Sequence, residues 1–454
     1  DILDSTASED ANISAPDGTL VLRSLNGSIG ADPGTAAGDI DIDVQNLQFD
    51  AGAALGTMHV TDLAGGLRIH ATSQAGASAN ISAHSPLVIA ADITVGGSST
   101  FTAGDSPLAG DNLTIENAAT VTLNSVAPAT LTFNAGDDIV FLNGGRIVTT
   151  GSSTHEVILT ADRDHTGVGA ADGDRGSITQ NTAATVEVTT HRLTAIAAGQ
   201  IDLDTLVDNL DARSTYTGDI RIGNGSAIQL EHVETANGAI DIVAAGAALA
   251  TYVDSSATDS DANDVSIVTT AGDVTAIFVR AGTMQGDVLL DAHGSIIDGD
   301  SVIDDVDVEG NHVTLIAQHG NIGVAAGNFF KDRPDGLDVI TYADPLLPLQ
   351  PGNLSVSAVG GSIALHATVA GAIDATADTL FVLTDGGLDV STSTFTVANL
   401  GLIADADGNS AGTLTLGGNL TVTGDLRLEG ADIVSNGPLA PQLDIAATRV
   451  LLRS

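Results

Sequence analysis

The sequence contains no cysteine and no tryptophan, and Lys331 is its single lysine. Without thiols there are no disulfides, no thiolate metal sites and no cysteine nucleophile. Aromatic residues make up 3% of the 454 positions. A core must therefore be assembled from Val, Ile, Leu and Ala, which suits many short layers better than one large globular centre. Positive charge is equally scarce, with 14 Lys and Arg against 58 Asp and Glu and a net charge of −44. Phosphate backbones are held by clustered Lys and Arg, and anionic lipid by basic patches, so neither nucleic acid nor an anionic membrane surface is an expected partner. No run approaches the roughly 18 apolar residues of a membrane span, so no membrane insertion is expected. Helical periodicity is also nearly absent.

Apolar residues nevertheless account for 43% and charged residues for 16%, which excludes a disordered acidic chain. The acidity suits solubility, a saline medium or bound cations. The chain starts at Asp1 without Met or a leader, and reads as a mature product or an excised piece of something longer.

What is abundant is glycine, and it recurs in one phrase. A glycine followed by Asp, Asn or Ser opens a short run of alternating apolar and polar residues. Within Gly286–Val324 the phrase occurs as Gly286-Asp287-Val288, Gly294-Ser295-Ile296, Gly310-Asn311-His312-Val313 and Gly320-Asn321-Ile322. Glycine is expected to take the φ > 0 corner, with the Asp or Asn bonding its own backbone. In Gly38-Asp39-Ile40-Asp41-Ile42-Asp43-Val44 the apolar residues point one way and the aspartates the other, as in a strand with one buried face. Gly199, Gly218 and Gly238 follow one another at nearly equal intervals.

Short strands and tight turns repeating at that interval predict an all-β, right-handed parallel β-helix, a solenoid with coils of about 20 residues and loop excursions. Three strands and three turns would fill one coil. Residues 1–454 are expected to form a single continuous rod on the order of 100 Å long. An antiparallel sandwich built from hairpins is the structural rival. Loops are expected to leave the array near 161–175, 254–264 and 328–351, the last carrying Phe329, Phe330, Lys331 and four prolines. Neither terminal stretch looks capped, so the rod is expected to continue or to join end to end.

Two loops place oxygen donors at alternating positions: Asp259, Asp261 and Asn263, and Asp405, Asp407 and Asn409. That spacing can wrap several ligands around Ca²⁺, but both loops lack the Gly and Glu of an EF-hand, so any calcium there would be structural. The competing reading is a solvated turn. Gly408-Asn409-Ser410-Ala411-Gly412 matches a nucleophile elbow, yet a strand-like run follows where a helix is required, and the match is taken as chance. Asp137-Asp138 and Asp304-Asp305 are pairs in a chain too rich in Asp for pairing alone to mean acid–base catalysis. The histidines are scattered singly and read as exposed strand or turn residues.

Gly27-Ser28-Ile29-Gly30 and Gly320-Asn321-Ile322-Gly323, each preceded by an apolar strand and followed by an Asn-Leu strand at 46–47 or 353–354, combine with the Gly-Asp-Ile/Leu openings and the Asp162-Arg163-Asp164 loop. Together they resemble the repeat regions of very large bacterial surface proteins, similar to filamentous haemagglutinin-type adhesins. The resemblance implies an exported β-helical segment, extracellular or on the bacterial cell surface. It would be non-enzymatic, serving as stalk, spacer or self-associating filament unit, with a protein or glycan surface as its partner. A carbohydrate-active enzyme, or a calcium-dependent carbohydrate-binding module, on the same fold is the alternative. Structural calcium in the two loops predicts that EDTA at low salt lowers the melting temperature; an unchanged transition would exclude it.

Overall fold

The computed structural model describes residues 1–4, 10–31, 38–105, 110–162, 175–181, 185–282, 285–300, 306–323, 336–343, 351–409, 411–417, 422–435 and 447–453. They form two compact units, Asp1–Gly225 and Ser226–Ser454. Each is a stack of parallel strands with the arrangement of a parallel β-helix. Parallel pairing excludes the hairpin sandwich.

In the first unit the chain visits three columns in turn. One holds Leu67–Ile69, Leu87–Ile89, Leu113–Ile115 and Ile139–Phe141. The second holds Ser73–Ala75, Ile93–Val95, Thr120–Asn124 and Arg146–Thr150. The third holds Met58–Asp62, Ala79–Ala83, Ser99–Ala103, Thr130–Asn134 and Glu156–Thr160. Within the first column Leu67 lies opposite Leu87 and Leu113 opposite Ile139, the second pair being farther apart along the chain. Coil length therefore varies while register is kept. In-register stacking lines up like with like: Val60, Ile81, Phe101, Phe133 and Leu159 make one inward row. None of them is more than 2% exposed. Phe101 and Phe133 stack at 5.2 Å. Burying each such side chain stabilises by roughly 1.5–3 kcal/mol.

The second unit repeats the plan. Its columns are Ile240–Ala244, Val265–Thr269, Val288–Ala292 and Val313–Ala317; Ala248–Ala250, Val274–Ala276 and Ile296–Asp298; and Val253–Asp254, Val279–Arg280, Val308–Gly310 and Leu337–Thr341. Longer strands follow, Leu354–Thr368, Ile373–Thr384 and Thr394–Ala404. Ser256–Thr258 is the single helical turn among the described residues.

The glycine-led phrase is a stacking device. Ser295 donates its N–H to Asp273 Oδ1 (2.7 Å), Asn321 to Ser295 Oγ (3.1 Å) and Ser362 to Asn321 Oδ1 (2.8 Å). In the other direction Val274 donates to the Ser295 carbonyl, Ile296 to that of Asn321 and Ile322 to that of Ser362. The polar residue of each phrase thus caps its counterpart one coil later. Asn112, Asp138 and Ser177 form another such column, and Asp264, Asp287 and His312 a third.

The expected φ > 0 holds at some opening glycines, with Gly38 at +55° and Gly272 at +87°, and not at others. None of Gly286, Gly294, Gly310 or Gly320 has a left-handed φ; the trailing glycines Gly30 and Gly323 do, at +69° and +65°. The opening glycine is needed for room. A Cβ on Gly294 would lie 2.2 Å from Asp273 Oδ1, and one on Gly320 would lie 2.3 Å from Ser295 Oγ and 2.7 Å from the Gly294 carbonyl carbon. The capping oxygen of one coil fills the space beside the glycine of the next.

The segment expected as a loop at 328–351 is not loop throughout: Leu337–Thr341 is a ladder strand, buried at alternate positions and paired on both sides. Residues 328–335 and 344–350 lie outside the described residues, as do 163–174 of the expected 161–175 excursion and the pair Asp304-Asp305. His155 departs from the expectation of exposed histidines. It is fully buried at a corner, where its Nδ1 faces Ala129 N and its Nε2 lies 3.0 and 3.1 Å from the Ser125 and Thr150 carbonyls.

Removing one cap, as in Asn321→Ala, is expected to cost about 1 kcal/mol, at the lower end because water reaches this exposed bond. Gly320→Ala is expected to cost more, since the clash includes backbone. Gly386→Ala is the control, because a Cβ there meets nothing within 4 Å. Chemical denaturation orders the three; equal stability of Gly320→Ala and Gly386→Ala would refute the packing role.

Candidate functional site

Perturbed ionisable groups gather on one face of the second unit. Its inward row is Val233, Val253, Val279, Val308 and Val339, held in register coil by coil. None of these is more than 1% exposed. The residues on either side of each valine lie on the opposite face of the strand, where Asp307 and Glu309 are nevertheless buried. On the preceding side stand His232, Tyr252, Phe278, Asp307 and Asp338, and on the following side Glu234, Asp254, Arg280 and Glu309.

Stacking at the coil repeat brings the rings together. His232 and Tyr252 are 4.6 Å apart between centroids, and Tyr252 and Phe278 are 4.9 Å apart and nearly parallel. The Arg280 guanidinium lies 5.9 Å from the Phe278 centroid. The polar members of the file are tied to carboxylates: His232 Nε2 lies 2.9 Å from Glu234, and the Tyr252 hydroxyl donates to Asp254 at 3.1 Å. Arg280 donates to both oxygens of Glu309, at 2.7 and 2.9 Å. Burial, reinforced by Asp254, pushes the Tyr252 phenol up to about 12. Burial with Glu309 beside it raises Tyr342 as well.

Next to this column, Asp298, Asp300 and Asp307 offer oxygens that all lie within 4.8 Å of one another. Asp307 is 2% exposed and accepts the Asp338 N–H at 2.9 Å. Burial is the main cause that pushes its carboxyl up to about 8, with Asp298, Asp338 and Asp300 adding repulsion. Such a group relieves its repulsion by holding a proton or a hard cation. The same bond recurs in the first unit, where Glu187, 1% exposed and pushed up to about 7 by burial, accepts the Asp204 N–H at 3.0 Å.

The residues singled out from the sequence serve their own turns. Asn263 is fully buried; its Nδ2 donates to the Ser255 carbonyl and its Oδ1 accepts from the Ser260 hydroxyl. Asp259 Oδ1 accepts the Gln285 N–H, while Asp261 sits exposed at the turn. Asp407 accepts both the N–H and the Nδ2 of Asn409, and Asp405 adopts φ +74°. These bonds support the turn reading of both loops. Asp137 accepts the N–H groups of Gly110 and Asp111, and Asp138 that of Ser177, so this aspartate pair is backbone capping.

Sequence reasoning missed the valine-centred face, although its signal is present. The triplets His232-Val233-Glu234, Tyr252-Val253-Asp254, Phe278-Val279-Arg280 and Asp307-Val308-Glu309 share one pattern. Unequal coil lengths hide their alignment. Comparisons of this chain with protein-family models, with curated proteins and with solved structures found no match.

Because the folded state holds the Asp307 proton well above the ordinary 3.8, its contribution is present at acid pH and is lost as pH rises through about 8. Asp307→Asn keeps an acceptor for Asp338 without the charge. The variant is expected to gain stability over the parent between pH 6 and 9, values spanning that titration. Parallel melting-temperature profiles for the two proteins would contradict the assignment.

Proposed function

We infer that this chain is a structural and adhesive segment of an exported bacterial surface or filament-forming protein, acting as stalk, spacer or self-associating unit without catalysis of its own. The observation that carries this reading is the columnar capping. Backbone and side-chain bonds run from coil to coil, so the sequence devotes its polar residues to cohesion of the stack. Repeat architectures of this kind present long faces for contact. The acidity, −44 overall, keeps such surfaces soluble and resists unspecific association with anionic polymers. Calcium in the Asp259–Asn263 and Asp405–Asn409 loops would add local rigidity only.

One observation favours a second reading, a carbohydrate-active enzyme. Glu234, Asp254, Asp307 and Glu309 share a face with Arg280, and one of them, Asp307, has its carboxyl raised by burial, as groups at active sites often do. Against it, Arg280 is clamped by Glu309, and the rings stack on one another. Beads coated with the chain are expected to adhere to cell and matrix surfaces above an albumin coat while releasing no reducing ends from polysaccharides. Reducing-end release that disappears in Asp254→Asn would replace the adhesive reading with the enzymatic one.

A further inference from the structure

Asp62 ends the strand Met58–Asp62 on the side where a carboxylate is least expected. Met58, Val60 and Asp62 alternate inward, and register sets Asp62 in one row with Ile42 before it and Ala83 and Ala103 after it. Asp62 is 1% exposed, and none of these three row neighbours is more so. Its Oδ1 accepts the Val44 N–H at 3.3 Å, while its Oδ2 is buried with no hydrogen-bond partner among the described residues. An ionised carboxylate only accepts hydrogen bonds, so a bare oxygen of that kind inside a core is strongly disfavoured.

The first unit builds the same corner a second time, with asparagine. Ile220–Asn224 is also a five-residue strand whose alternate side chains Ile220, Ile222 and Asn224 are buried. Asn224 lies opposite Thr205 as Asp62 lies opposite Ile42, and each reaches two residues past that partner, to Val207 and to Val44. The next residue closes both corners alike: Gly225 donates to the Thr205 carbonyl, and Leu63 to that of Ile42. Asn224 uses both ends of its amide there. Its Oδ1 accepts the Val207 N–H at 2.9 Å, and its Nδ2 donates to the Val207 carbonyl at 3.2 Å. Thr205 adds a hydroxyl to that Oδ1 at 2.9 Å, where Ile42 has nothing to donate. Asp62 has the acceptor of that amide and lacks its donor.

We propose that Asp62 carries a proton on Oδ2 and works as a proton-operated latch, closing onto the Val44 carbonyl as an asparagine does and releasing that corner when it ionises. The O–H stands in for the amide Nδ2. Its loss sets two acceptors, Oδ2 and the Val44 carbonyl, against each other inside the core, and Ile40–Ala51 then loosens its hold on the coil that follows. The titratable groups around the corner are Asp39, Asp41 and Asp43 on the preceding side, His59 on the same strand and His84 just after Ala79–Ala83. Burial pushes the Asp62 carboxyl up to about 6; the Val44 N–H and His84 pull it down, and Asp43 pushes it up. Because the folded state holds this proton above the ordinary 3.8, its contribution is whole below that value and is lost as pH rises through about 6. The latch is closed in mildly acidic surroundings and open at neutral pH. It goes beyond the adhesive reading and does not depend on it.

The test is hydrogen exchange of the full chain from pH 4 to 8, values spanning that titration, with rates corrected for intrinsic exchange. In the parent, protection of Ile40–Ala51 is expected to fall across the range by up to about a hundredfold, the equilibrium equivalent of the displaced titration. Asp62→Asn supplies the donor at every pH and is expected to hold its protection throughout. Asn224→Asp is expected to import a loss in the same direction at Ile201–Ser214, a smaller one because the Thr205 hydroxyl favours the charged form. Infrared difference spectra at the acid end are expected to show a protonated-carboxyl band in the parent that Asp62→Asn lacks. Parallel exchange profiles for the parent and Asp62→Asn, or no such band, would mean an ionised carboxylate held by water and would overturn the proposal. If Asp62→Asn does not fold, Asn224→Asp decides: protection at Ile201–Ser214 that is indifferent to pH overturns the latch, and a loss with rising pH supports it.

Discussion

A strand entering the stack brings an N–H that its own coil cannot satisfy, and in this protein a short side-chain oxygen from the neighbouring coil accepts it. That bond constrains the rest. It demands Asp, Asn or Ser at the strand opening, because only a short side chain holds its oxygen close to the backbone. At Gly294 and Gly320 it also demands glycine just before, because the oxygen from the previous coil occupies the place of a Cβ. Once both demands are met, register follows, and with it the alignment of every inward row.

The inward rows then settle with little sequence identity. Val60 lies on Ile81, Ile81 on Phe101 and Phe133 on Leu159. Different volumes are accommodated because each row needs only continuity along the stack, not a particular jigsaw. Turns between rows absorb length, so that the step from Leu67 to Leu87 and the longer one from Leu113 to Ile139 both close one coil. Outward side chains inherit the register without having been chosen for it. Such inheritance puts His232, Tyr252 and Phe278 in one file and draws three carboxylates together beside it.

Much of the architecture was legible because the stacking device leaves a local mark. The Gly-Asp/Asn/Ser-apolar phrase, the alternation in Ile40–Val44 and the even spacing of Gly199, Gly218 and Gly238 all report strands and turns directly. At Gly286, Gly294, Gly310 and Gly320 the glycine lacks the expected left-handed φ, and at Gly294 and Gly320 it serves close approach instead; the two needs leave the same residue behind. Leu337–Thr341 was hidden by its proline-rich surroundings, although its own alternation is that of a strand. The ionisable face was illegible for another reason. Its members are separated by loops of unequal length, so only register brings them together. The oxygen-rich loops at 259–263 and 405–409 were visible, but spacing alone does not separate a metal ligand from an Asx turn; the structure adds the bonds that these side chains make with Ser255, Ser260 and Asn409.

The glycine-led columns also have a sense of direction. From Asp273 through Ser295 and Asn321 to Ser362, each oxygen belongs to the earlier coil and each N–H to the later one. A polypeptide emerging amino end first therefore lays down each capping side-chain oxygen before the N–H it caps, while backbone N–H groups such as those of Val274 and Ile296 await carbonyls of the next coil. Each finished coil is a template with its hydrogen-bonding groups already set out, and the next segment has only to dock. Assembly of such a column is a zipper whose side-chain caps have a built-in forward direction, and an interruption during synthesis would leave a face that presents both capping oxygens and backbone N–H groups to whatever docks next.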